Sequence, residues 1–193
     1  MKKKWVADRL MRIGGFAEPP VADVLGMDDP TGYRNKAQYV IARVSGEDKK
    51  ARGCTIGFHK ARRPEAVDID WCPIQADPAN RIAAVVRRYV KEHKVPVYDP
   101  ATGTGLLRHL VVKTAFGTGD VMVILVATNR KIPAVEWLAK EISLALEDME
   151  DISFESFILN VNRTKRGEIL GTECITLAGR PAITDELLGK EFE

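Results

Sequence analysis

Three cysteines, three histidines and an uneven scatter of arginine and lysine are the residues of this 193-residue chain whose types could do chemistry. A protein metal site needs ligands at close spacing, yet His59, His93 and His109 stand far apart, and no His-x-x-x-His or Cys-x-x-Cys pair occurs. Nucleophilic chemistry at Cys54 or Cys174 would need a neighbouring base and an electropositive, partly exposed setting. Both fall in β-rich runs, where a buried apolar thiol is the ordinary reading. Thr102-Gly103-Thr104-Gly105 has the glycine content of a phosphate-cradling loop. Such a loop follows a strand and opens a helix, so that backbone N–H groups meet the phosphate. Here Asp99-Pro100 precedes the glycines and a β run follows, which predicts a structural turn.

The remaining chemistry is electrostatic. Between Arg34 and Arg63 lie nine basic residues (Arg34, Lys36, Arg43, Lys49, Lys50, Arg52, Lys60, Arg62, Arg63) against Glu47 and Asp48, a local charge of +7. The segment from Glu141 to Glu155 holds Glu141, Glu147, Asp148, Glu150, Asp151 and Glu155 and no Lys or Arg. The overall charge of +2 averages these regions. Polarity of this kind favours one face for a polyanion, because clustered cations gain by releasing its counterions. An unevenly charged, solvated surface would have the same composition.

The elements that would carry these residues follow from periodicity. Trp5, Val6, Arg9, Leu10 and Ile13 are spaced for a short helix over 3–13, stopped by Gly14-Gly15. Residues 21–32 are rich in turn formers and read as an extended connection. Lys36–Val44 and Arg52–His59 are β-rich and flank Ser45-Gly46-Glu47-Asp48, which predicts a hairpin. Ile82, Val85, Val86, Tyr89 and Val90 make an apolar stripe over 80–94, with Arg81, Arg87, Arg88, Lys91 and Lys94 off it: a basic amphipathic helix. Leu106–Lys113 and Val121–Ala127 form a second hairpin, and 133–147 a third helix with Pro133 tolerated at its start. Ser153–Asn162 alternates and is expected to be a half-buried strand. Further β runs cover 168–177, and the end from Asp185 to Glu193 finishes without a packing partner. Two hairpin–helix units in this order predict an α+β fold, with helices on one face of a mainly antiparallel sheet. No doubly wound nucleotide-binding unit is visible. No apolar run approaches the roughly 18 to 20 residues that cross a bilayer, and the odd, scattered cysteines suit reduced thiols, so a cytoplasmic location is expected.

Four phrases are more specific: Gly32-Tyr33-Arg34-Asn35-Lys36-Ala37-Gln38, Ile56-Gly57-Phe58, Asp68-Ile69-Asp70-Trp71-Cys72-Pro73-Ile74 and Gly105-Leu106-Leu107-Arg108-His109-Leu110. With Gly119-Asp120-Val121-Met122-Val123, Asn160-Val161-Asn162 and Ile169-Leu170-Gly171 downstream, the chain resembles the central region of the S-adenosylmethionine-dependent RNA uracil-5-methyltransferases, which act on ribosomal and transfer RNA. The resemblance covers about nine-tenths of the chain.

Members of that family usually carry an oligonucleotide-binding barrel and three clustered cysteines before this region, and after it a Rossmann-like domain that binds the methyl donor. The resemblance therefore implies that residues 1–193 are a central RNA-handling domain, lacking the barrel and the catalytic domain and inactive alone. The family's reaction adds a cysteine thiolate to uracil C6 and uses a base to remove the C5 proton; neither group can be assigned here, and no catalytic residue is expected. Cys72 stands where many members have the fourth ligand of an iron–sulfur cluster. In a parent without the cluster it would be a packed thiol. Four thiolates hold such a cluster, so this chain alone is expected to bind neither cluster nor S-adenosylmethionine.

For RNA contacts the resemblance puts Arg34 and Lys36 first, then Arg62, Arg63, Arg108 and His109. Surface charge or an internal pair is the competing reading of each, and Arg108-His109 inside a strand could equally maintain the fold. Asn160 and Asn162 would bond RNA or close a turn. The partner is RNA, ribosomal or transfer, rather than DNA or membrane. Two other functions fit: a stand-alone RNA-binding module without enzymatic activity, and an unrelated small enzyme using Cys54 or Cys174.

Overall fold

Alternation of apolar residues on both sides of the central strands, and apolar stripes on two helices, fix the architecture. It is seen in a computed structural model that describes residues 1–44, 53–63, 65–165 and 168–193. The expected turn at Ser45–Asp48, with Lys49, Lys50 and Arg52, lies outside the described residues. The chain divides into two units, Met1–Pro30 and Thr31–Glu193.

The first unit holds helix α1 (Lys2–Arg12), which has no buried residue. The second begins with β1 (Lys36–Ala42), β2 (Thr55–His59), β3 (Ala66–Asp68) and α2 (Asp77–Glu92). Then come β4 (Leu107–Thr114), β5 (Asp120–Ala127), α3 (Val135–Leu146), β6 (Ser153–Val161), β7 (Glu173–Gly179), β8 (Asp185–Leu187) and β9 (Lys190–Phe192). Seven strands form one sheet in the order β3-β2-β1-β4-β5-β6-β7. Every neighbouring pair is antiparallel except β5 with β6, the pair that α3 connects.

Both helices cover the same face. Ile82, Val86 and Tyr89 of α2 and Leu138 and Ile142 of α3 share one core with Tyr39, Ile41, Leu110, Val112, Val123, Leu125, Phe157 and Leu159. The expected α+β arrangement of two hairpin–helix units is thus the fold. A smaller cluster, Val111, Met122, Ile124, Val126 and Ile158, lies on the opposite face, with Ile169 and Ile183 against it.

Two expectations are corrected. β6 is not half-buried: Ser156 through Val161 are all buried, because the strand runs between β5 and β7 with apolar cover on both faces. The C-terminal residues do have partners. β8 and β9 pair through a turn at Leu188-Gly189, whose φ values of 52° and 70° suit a two-residue hairpin. Gly117 N–H also donates to the Asp185 carboxylate at 2.8 Å.

Several of the quoted phrases are explained by close approach of backbones. A Cβ at Gly57 would overlap the Val67 carbonyl of β3, so only glycine lets the edge strand dock. At Gly171 a Cβ would overlap the Val161 carbonyl. There Asn160 accepts from Gly171 N–H at 2.7 Å and donates to its carbonyl at 2.9 Å, while Asn162 donates to the carbonyls of Glu168 and Ile169. The two asparagines close the turn.

Candidate nucleic-acid interface

The sheet face opposite the helices is only partly covered over β1, β2 and β4: Val111 is buried in the cluster that Ile169 and Ile183 pack against, whereas Lys36, Gln38 and Lys113 are exposed. Strand parity brings Lys36, Gln38 and Val40 of β1, Gly57 and His59 of β2, and His109, Val111 and Lys113 of β4 to that side. Register then decides what meets what. Lys36 stands opposite Lys113, Gln38 opposite Val111, and Val40 between His109 and Gly57. Both lysines are exposed, and neither has a carboxylate partner among the described residues. Like charges directly opposite across a sheet destabilise it, so a bare lysine pair suits a surface built for an anion.

Arg34 is held at the edge of this face by its backbone. Its N–H donates to the Ile74 carbonyl at 2.9 Å, its carbonyl accepts from Ala76 N–H at 3.0 Å, and Gly32 N–H donates to Pro73 at 2.8 Å. Asn35 accepts from Thr114 N–H at 2.8 Å. The Tyr-Arg-Asn-Lys phrase and the Trp-Cys-Pro-Ile phrase are therefore one structural unit. The Arg34 side chain is exposed, as are Tyr33 (45%) and Trp71 (59%) on the two joined segments. Arg62 and Arg63 are exposed in the turn between β2 and β3.

Arg108 and His109 sit differently. Arg108 is buried and donates to the carbonyls of Asn162 at 2.8 Å and Thr164 at 2.6 Å, with its guanidinium 4.4 Å from the Tyr98 ring centre. Burial pulls its pKa down from the usual arginine value. One terminal nitrogen makes both of these bonds and ties the arginine into the fold, while Nε is buried without a hydrogen-bond partner. The His109 side chain is mostly enclosed, and burial, aided by Arg108 and His59 nearby, lowers its pKa to about 4. Its imidazole is neutral near pH 7, and Nδ1 has no hydrogen-bond partner. Both residues line a groove of about 470 Å³ with Val40, His59, Tyr98 and Lys165. An adjoining hollow adds Gln38, Gly57 and Ile169.

The basic side of α2 does not extend this surface. Arg81 bonds Asp77 and Asp148, Arg88 meets Glu141 at 2.5 Å over the Trp137 ring, and Arg87 meets Asp68 at 2.7 Å. Two residues of the acidic segment, Glu141 and Asp148, thus pair with Arg88 and Arg81 of α2.

The cysteines offer little chemistry. Cys54 is fully buried and burial pushes its thiol up to about 12, far from a reactive thiolate. Cys174, expected to be buried, is exposed on β7, because that strand is the sheet edge and its alternate residues face outward. Cys72 is buried; its N–H donates to Asn80 Oδ1 at 2.9 Å and its carbonyl accepts from Asn80 Nδ2 at 3.2 Å. Among the described residues no three His, Cys, Asp or Glu side chains are placed to hold a metal. Thr102–Gly105 forms a turn closed by Asp99 N–H on Thr104 O at 2.7 Å and leads into β4. Among the described residues no helix is long and apolar enough to cross a membrane.

No family model matches the chain. Curated relatives do. An uncharacterized RNA methyltransferase of Clostridium tetani is 36% identical over 191 residues, covering 99% of this chain and 39% of the relative. Another from Clostridium acetobutylicum is 35% identical over 95% of this chain and 38% of its own length. A third, from Caldanaerobacter subterraneus, is 34% identical over the whole chain and 40% of its own length. The chain thus spans about two fifths of the length of these relatives. Among solved structures, the Pyrococcus abyssi tRNA (uracil-54, C5)-methyltransferase in complex with S-adenosyl-L-homocysteine matches with a TM-score of 0.69 at 22% identity, over 99% of this chain and 41% of that one. The two share a fold. Nearly the whole chain thus aligns with one segment of proteins named as RNA methyltransferases.

Proposed function

We propose that this chain is the RNA-positioning part of an S-adenosylmethionine-dependent RNA uracil-5-methyltransferase, with methyl transfer a property of the whole enzyme. The observation that carries this reading is the Lys36–Lys113 pair, exposed and in register, with no carboxylate at ion-pair distance among the described residues although Asp185 and Glu193 line the same hollow, and with Arg34 two residues away. Charge repulsion across a ladder is tolerated where a bound polyanion relieves it. The curated relatives named as RNA methyltransferases and the uracil-5-methyltransferase sharing the fold support the substrate class. The site residues proposed are Arg34, Lys36 and Lys113, with Arg62 and Arg63 as a second exposed cationic group; ribosomal and transfer RNA both satisfy this chemistry. A cytoplasmic location accords with such a substrate.

The test is fluorescence anisotropy of a labelled single-stranded RNA over a salt series. Each phosphate neutralised on a single strand contributes about −0.7 to the log–log slope. Replacing Arg34, Lys36 and Lys113 together with alanine should weaken binding and flatten the slope by roughly 1.4 to 2 if two or three contacts are lost. A folded triple variant with unchanged affinity and slope would remove these residues from the interface.

A further inference from the structure

We propose that the groove between β1, β2 and β4 takes one unstacked nucleotide of an RNA strand, its base laid on Val40 and hydrogen-bonded to His109, its phosphate at Lys165. The proposal deepens the RNA reading above by naming what the groove holds.

Three observations converge. The groove's volume of about 470 Å³ lies within the roughly 300 to 1,000 Å³ of small-molecule sites. Val40, half-buried, and His109 stand opposite one another in register and both line it, and Gly57, opposite Val40 on β2, belongs to the adjoining hollow. Nδ1 of His109 is buried without a partner, and an orphaned polar atom at a binding surface is satisfied by a ligand edge. A base edge supplies such groups and its π-face suits an apolar floor.

The cations at the rim select a nucleotide over a polyphosphate. Arg108 is buried and gives one terminal nitrogen to the Asn162 and Thr164 carbonyls. Arg43 is held by Asp99 at 3.3 Å and the Val97 carbonyl at 3.2 Å. Lys165 is exposed and pairs with no carboxylate among the described residues. An exposed, acid-free cation beside Val40 matches one base and one phosphate. Unpaired RNA bases are recognised in this way, splayed out and read on an edge.

The test is an NMR titration of the full chain with uridine monophosphate, uridine, inorganic phosphate and a short oligouridylate in separate arms. The monophosphate should shift Val40, Gly57 and His109 along one saturable curve, and uridine should do so more weakly. Inorganic phosphate moving the same resonances as far as the nucleotide, or none of the nucleosides moving them, would overturn the base pocket. Val40→Phe, which fills the groove from a strand position, should abolish the monophosphate shifts while the oligomer keeps its contacts at Lys36 and Lys113. If Val40→Phe does not fold, the exposed Lys165→Ala should weaken the monophosphate more than uridine. Oligomer binding that leaves Val40 and His109 unmoved would sink the groove and leave the RNA reading standing. Monophosphate saturation without oligomer binding would overturn the RNA occupant and the RNA reading together.

Discussion

Asn80 on α2 grips the backbone of Cys72 on both sides, accepting from its N–H at 2.9 Å and donating to its carbonyl at 3.2 Å. The loop so fixed is the one whose carbonyls at Pro73 and Ile74 hold Gly32 and Arg34. A core asparagine thereby sets the direction of a surface arginine.

Replacing Asn80 with alanine leaves the buried Cys72 N–H unpaired, costing about 1 to 3 kcal/mol, while the Cys72 carbonyl keeps the Gln75 N–H at 3.3 Å. Urea unfolding should show a lower midpoint at unchanged slope. Hydrogen exchange at Arg34 and Ala76 should accelerate; unchanged protection there would show that the loop stands without the asparagine.

Arg81 and Arg88 should behave opposite to Lys36. Their charges are spent on Asp77, Asp148 and Glu141, so Arg81→Ala with Arg88→Ala should leave the salt slope of RNA binding unchanged while lowering thermal stability. Exposed pairs are worth roughly 0.2 to 1 kcal/mol each. A flattened slope would return α2 to the interface.

Thiol labelling should separate the cysteines. Cys174 is exposed, whereas Cys54 is buried with its thiol pushed up to about 12. Under native conditions a maleimide reagent should modify Cys174 rapidly and Cys54 only as the protein opens. Rapid native labelling of Cys54 would revive a catalytic role for it.

His109 predicts an acid sensitivity. Burial holds its folded pKa at about 4, below the ordinary histidine value of 6.5, so the unfolded chain binds the proton more tightly. Stability from this group is complete above pH 6.5 and is lost as pH falls from there toward 4. The urea midpoint should drop across that window, and His109→Gln should remove part of the drop. An identical pH profile in the variant would assign the effect elsewhere.

Calorimetric titration of this chain with S-adenosylmethionine should show no saturable heat. Nucleotide sites in doubly wound folds use a glycine turn where a parallel strand enters its helix. The one such crossover here runs through Thr128-Asn129-Arg130-Lys131, and the Tyr89 hydroxyl donates to Pro133 O at 2.6 Å beside the start of α3. A micromolar donor site would contradict this assignment.

The two helices, the two hairpins and the one-faced cover were legible because apolar spacing at three, four and two residues reports burial directly. Burial on the second face of β6 was not, since Asn160 and Asn162 read as solvated until their turn partners at 168–171 are known. The exposed rank of Arg34, Lys36, Arg62 and Arg63 could be read from type alone. That of Arg108 could not: a guanidinium donating to carbonyls 54 and 56 residues away leaves no local trace. Lys113 was missed because its importance is a register fact. It matters only once β1 is laid beside β4.

That same seam divides the sheet by its folding history. β4 through β7 close on sequence neighbours, as do β1 through β3, whereas Lys36 finds Lys113 only after a loop of more than seventy residues closes. Long closures are entropically slow and come late. The ladder between β1 and β4 is thus a long-range closure joining two locally paired sets of strands. The lysine pair and the groove both straddle it, so each depends on that closure.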